Sequence, residues 1–128
     1  MENKKMRGKG ELLYDDEYDI LVVKLMDRDY ASSVELDDGD LVLDMDNKKM
    51  IIGIRIFDAT EVLGMEKKVL KKAKHAELSV KKERKAVMIR IVIKVEEENK
   101  DKIKYVQNFN REIEETTNEE PYEVMCTI

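Results

Sequence analysis

The sequence is poor in the residues that most often mark a site. Its 128 residues hold one cysteine, one proline, one histidine and no tryptophan. A lone Cys126 cannot close an intrachain disulfide, which excludes a disulfide-stapled scaffold. One histidine, His75, with one cysteine far from it makes no zinc pattern. His75 fits the C-terminal end of a helix, where an imidazolium favours the dipole, and Cys126 fits a small buried hydrophobe. Gly8 and Gly10 stand near the N-terminus with no strand expected before them, so they fail the context of a phosphate-binding loop. No apolar run approaches the roughly 18 residues of a membrane-spanning helix. Residues 1–10 carry no apolar core of a secretory signal, so a cytoplasmic location is expected.

Charge, by contrast, is abundant. Charged residues make up 41% of the chain, against roughly 25% in an average domain. Hydrophobic residues still make up 42%, enough to bury a core and clothe it in charge. Lysine and glutamate dominate and Gln107 is the single glutamine, a balance reported for hyperthermophile proteins. A high melting temperature is the corresponding expectation.

The charges are segregated along the chain. Residues 1–10 have four basic and one acidic residue, net +3, and suggest a flexible basic leader. Residues 11–46 have two basic and thirteen acidic, net −11. Residues 67–85 have nine basic and two acidic, net +7. The blocks either solvate the surface and face one another, or meet partners of opposite sign. On the second view, Asp15, Asp16, Glu17, Asp37, Asp38 and Asp40 would form an acidic surface for a basic protein partner. Lys67, Lys68, Lys71, Lys72 and Lys74 would form a basic surface for nucleic acid.

Periodicity organises residues 11–128 as one domain. Residues 12–14 and 20–25 read as a hairpin around Asp15–Asp19, with the second strand apolar on both faces and therefore central. Residues 32–36 are a short strand, and Asp37-Asp38-Gly39-Asp40 is a turn. Leu41, Leu43 and Met45 share one strand face, as do Ile52, Ile54 and Ile56 on the next strand. Met65, Val69, Leu70 and Ala73 fall at helical spacing, which predicts a helix over residues 60–74. Leu78 and Val80 precede the clearest strand, in which Val87, Ile89, Ile91, Ile93 and Val95 alternate with Met88, Arg90, Val92 and Lys94. Ile103, Val106, Phe109 and Ile113 are spaced three, three and four. That predicts a second amphipathic helix over residues 100–115, with Asn99 as its cap. A loop at 116–120 then leads to a last strand with Tyr122, Val124 and Cys126 on one face. The expected fold is α+β: an antiparallel sheet of about six or seven strands with two helices packed on one side.

Residues 12–61 also carry a spaced set of strand and turn signals. It runs through Tyr14-Asp15, Glu17, Asp19 with the run Ile20–Leu25, Ser33, Glu35, Gly39, Asp44-Met45-Asp46, Gly53-Ile54-Arg55-Ile56 and Ala59-Thr60. This pattern resembles the domain of unknown function 2283 family, a set of short prokaryotic domains. Arg55 stands where that family usually has an acidic residue, and Thr60 where it usually has serine. The resemblance implies a small β-rich fold of unassigned biochemistry. Some relatives are encoded beside small toxin-like proteins, which implies an antitoxin-like role.

Searching for chemistry yields little. Asp37, Asp38, Asp40, Asp44 and Asp46 are the oxygen ligands a hard cation wants, but the spacing of a calcium loop is missing and turn chemistry explains them. Asp15, Glu17 and Asp19 could supply an acid and a base only if their environments differed, and a loop should solvate all three. No catalytic, cofactor-binding or metal-ligating set can be assembled. The expectation is a non-enzymatic structural or protein-binding domain. It would work as a homo-oligomer or with a basic protein, or alternatively bind nucleic acid through Lys67–Lys85, and it has no membrane role.

Overall fold

The computed structural model describes residues 4–96, 102–113 and 121–128. Nine strands dominate it: β1 (Lys4–Asp15), β2 (Ile20–Leu25), β3 (Ser32–Leu36), β4 (Leu41–Met45), β5 (Ile51–Ile56), β6 (His75–Glu83), β7 (Ala86–Glu96), β8 (Lys102–Glu112) and β9 (Tyr122–Thr127). Two short helices, α1 (Ala59–Leu63) and α2 (Lys67–Leu70), lie between β5 and β6. None is long or apolar enough to cross a membrane.

The strands form one mixed sheet in the order β3-β4-β5-β2-β1-β9-β6-β7-β8. All neighbours are antiparallel except β1 and β9. The hinge of the architecture is β1. Residues 10–15 pair with β2 and residues 4–9 with β9, so one strand belongs to two half-sheets. These half-sheets face each other across a single core. Leu21, Val23, Leu41, Leu43, Ile54 and Ile56 come from the first, and Leu78, Val80, Ile89, Ile91, Phe109 and Val124 from the second. Burying each such side chain contributes about 1.5–3 kcal/mol relative to exposing it. Ala59, Met65 and Leu70, from the helical connection, complete the same core.

Side-chain polar contacts tie the half-sheets together. The Tyr122 hydroxyl of β9 accepts the Ile51 amide proton of β5 across the core at 3.0 Å. Arg111 of β8 forks onto Asp37 after β3, with Nε and Nη2 each 2.8 Å from a carboxylate oxygen. Since β3 and β8 are the two ends of the strand order, that fork closes the far edges toward each other.

The structure corrects several expectations. Strand begins at Lys4, so residues 4–10 of the supposed leader are sheet. The helix expected over 60–74 is two short turns of helix broken at Gly64, which has φ 63°. His75 opens β6 rather than ending a helix. Residues 102–112 are strand, where a second helix was expected, so helices are few and short and the α+β expectation gives way to a largely β molecule. Ile54 and Ile56 share the inner face, but a bulge opposite Asp44 and Met45 leaves Ile52 out of register. The cap at Asn99 and the loop at 116–120 lie outside the described residues.

Candidate functional site

The outer face of the first half-sheet holds a groove of about 540 Å³. Alternation along β1 and β2 points Leu13, Val22 and Lys24 outward, opposite half-buried Leu12 and Tyr14 and buried Leu21, Val23 and Leu25. Arg55 and Asp44 come from β5 and β4, and Ile52 reaches the groove because the bulge frees it from the ladder. The β2–β3 connection brings Arg28, Asp29 and Tyr30 over the edge. Leu13 and Tyr30 are left 48% and 62% exposed.

One polar network fixes the groove's far wall. Arg55 Nε lies 3.1 Å from both Asp44 oxygens, and Nη2 lies 2.8 Å from Oδ1. Nη2 also donates to Ser33 Oγ at 3.1 Å. Ser33 Oγ donates to Asp44 Oδ1 at 2.9 Å and stands 2.9 Å from the Tyr30 hydroxyl. Asp44 is thus buried with its acceptor sites occupied, which removes most of the cost of burying a carboxylate. Arg55 is here the counterion of Asp44.

A second network lies at the end of the same half-sheet. Asp19, at φ 56°, turns its carboxylate to three donors. Tyr14 Oη donates at 2.6 Å, Thr60 Oγ1 at 2.6 Å, and the Thr60 amide at 3.2 Å. The Asp19 carbonyl accepts from the Ala59 amide at 3.0 Å, so this one residue holds the start of α1. Burial alone would raise the Asp19 carboxyl. Hydrogen bonds from Thr60 and Tyr14, with Lys67 nearby, outweigh it and hold the group below the usual carboxylate value. Burial, then the bond to Asp19, raise the Tyr14 phenol well above its ordinary value.

The sequence-predicted acidic residues collect at this end. Asp15, Asp16 and Glu17 occupy the β1–β2 turn, and Asp37, Asp38 and Asp40 the β3–β4 turn; both turns lie at the end of the half-sheet where β5 runs into α1. They are not all free. Asp15 accepts the Glu17 and Tyr18 amides, Asp16 pairs with Lys71 at 3.2 Å, and the fork from Arg111 holds the Asp37 carboxyl below its usual value. Asp44 and Asp46 stand at the opposite end of β4 from Asp37, and Asp46 accepts the Lys48 and Met50 amides. Among the described residues no group of three or more metal-ligating side chains is close enough to hold an ion.

The predicted basic surface is divided. Lys68 pairs with Glu66 at 3.3 Å and Lys71 with Asp16, while Lys67, Lys72 and Lys74 are exposed on or just after α2. Lys82, of the same sequence block, is buried in β6. Buried Cys126 sits 3.5 Å from the Lys24 carbonyl, and burial pushes its thiol up.

Reading the sequence missed Leu13, Arg28 and Tyr30 of the groove. An aromatic set among Asp27, Arg28 and Asp29 was the available signal, since a tyrosine in so polar a loop has no core to enter. Neither a curated protein nor a solved structure matches the chain. Residues 12–59, from the second half of β1 to the first residue of α1, match the model of the family described as protein of unknown function (DUF2283), and the rest of the chain is unmatched.

Proposed function

We propose that this protein is a non-enzymatic binding module whose outer groove receives an apolar side chain of a partner protein. The groove itself carries the reading: an apolar floor of Leu13, Val22 and Ile52 lies beside a guanidinium–carboxylate pair whose hydrogen bonds are already made. Such a wall can exclude water around an incoming side chain without demanding a charge from it. Tyr30 and Arg55 are of the types enriched at interfaces. Glu17, Asp38 and Asp58, exposed at the other end of the same half-sheet, favour a partner with basic residues beyond the apolar one that enters the groove. Catalysis has less support. Ser33 has a carboxylate beside it, but that carboxylate is already engaged by Arg55, and no histidine stands near to act as a base.

Selection from a displayed library of random peptides tests the reading. Recovered ligands should carry a large apolar residue flanked by lysine or arginine. Leu13→Asp or Tyr30→Ala should weaken them at least about tenfold, about 1.4 kcal/mol, with the thermal melt unchanged. A selection that yields nothing above background, or ligands indifferent to both substitutions, removes the proposal.

A further inference from the structure

The outer face of the second half-sheet has a different character. Its register sets six outward rows, three of which cross all five strands; the four central rows lie between one holding Glu83 and Glu112 and one holding Glu96. Lys5, Arg7 and Lys9 stand on β1, and Lys81 on β6. Arg90, Lys94 and Lys104 follow on β7 and β8. Within the four central rows the only carboxylates are Glu77 and Glu123, so seven cations stand beside two anions, with Glu83, Glu96 and Glu112 at the margins of the face. Lys94 is paired with Glu77 at 3.1 Å. The other six cations are exposed, and none has an ion-pair partner among the described residues. The first half-sheet behaves otherwise: its outward Lys24 and Arg55 each have a carboxylate, Glu11 and Asp44.

Lys5 and Lys81 flank Glu123 in the register and the other four cations have no acid directly opposite them, so the centre of the face carries a surplus of positive charge. In a chain of net charge −5 their concentration on one face calls for an anionic occupant. We propose that this face binds double-stranded nucleic acid through its phosphate backbone. Ser79, Asn108, Asn110 and Thr127 lie in the same rows and offer hydrogen bonds to phosphate and sugar oxygens. The rows carry no phenylalanine, tyrosine or tryptophan, so unpaired bases have nothing to stack on. The same lack removes the aromatic anchors that a membrane-surface site uses. Strand spacing makes the face about 19 Å across, and its four central rows span about 20 Å. Binding is therefore by charge and shape, without preference for sequence.

This surface differs from the lysines of α2, and the test exploits that. Fluorescence anisotropy with a labelled mixed-sequence duplex should show binding at about 50 mM salt. The six free cations set an upper slope of log K against log salt of about −5. Arg7→Glu with Arg90→Glu should weaken binding at least tenfold, and Arg7→Gln with Arg90→Gln by less. Lys68→Glu with Lys72→Glu should leave it unchanged, and a second duplex of different sequence should bind equally. No binding at about 50 mM salt, a slope near zero, or equal loss in the α2 variant overturns the proposal. So does tighter binding to phosphatidylserine vesicles, to polyglutamate or to the isolated single strand.

Discussion

Gly10 has no room for a side chain. A methyl group built there would lie 1.8 Å from Cys126 Sγ and 3.1 Å from the Lys24 carbonyl. This is the point where β1 passes from β9 to β2, so residues of both half-sheets crowd a position that has no Cβ. Gly10→Ala should therefore cost about 1–3 kcal/mol by overpacking. A double-mutant cycle in urea checks the cause, since adding Cys126→Ala should recover part of that loss. Asp19 makes a second prediction at this scale. Its folded carboxyl sits below the usual value of 3.8. The stability it contributes is then complete above that value and is lost as pH falls through the folded value. Asp19→Asn should lower stability at neutral pH and flatten the acid limb of a stability–pH profile. An acid limb identical to that of the unsubstituted protein would show that the Tyr14–Asp19–Thr60 network carries no such linkage. Asp19 had been a candidate acid or base in sequence. Its partner Thr60 lies forty-one positions away, and no local pattern announces such a contact.

The hairpin of β6 and β7 turns through Arg84 and Lys85, with Arg84 at φ 48°. A side chain there costs about 1–2 kcal/mol, against a smaller entropic cost for glycine. Arg84→Gly should raise stability by about 0.5–1 kcal/mol, read as a higher urea midpoint with an unchanged slope. This hairpin was legible in the sequence because β7 is buried on its inner face from Val87 to Val95, and full burial demands unbroken alternation. The neighbouring β8 was misread for the opposite reason. It is an edge strand, and its inward positions tolerate Gln107 and Arg111, which are only half-buried. With those two polar residues breaking the period of two, Ile103, Val106, Phe109 and Ile113 fell by accident at helical spacing. The first ten residues failed similarly. Lys5, Arg7 and Lys9 alternate with Met6, Gly8 and Gly10, a strand pattern whose inner face is kept small where β1 crosses between sheets. Charge composition alone reads such a segment as a solvated tail. Of the candidate site, Ser33 and Asp44 were visible as residues of the resembled pattern and Arg55 as a departure from it. Their convergence depends on the pairing of β3, β4 and β5, which a linear pattern does not contain.

The stretch that matches a family is less than half of a molecule that has one core. Residues 12–59 supply most of the first half-sheet, yet the other half of their core is built by β6, β7, β8 and β9. The Tyr122 hydroxyl joins the two, and its position explains its chemistry. Burial pushes the phenol up to about 12, although the Ile51 amide it accepts from works in the other direction. The half-sheets should consequently unfold together. Far-UV circular dichroism and tyrosine fluorescence should trace the same transition in urea, as a single cooperative domain requires. Tyr122→Phe leaves the Ile51 amide buried without its acceptor and should cost about 1–3 kcal/mol. Because that bond lies between the halves, the loss should move both probes equally and leave one transition. Two separated transitions, in either protein, would mean that β1 joins two independently stable sheets, and the shared core would then be a contact surface between domains.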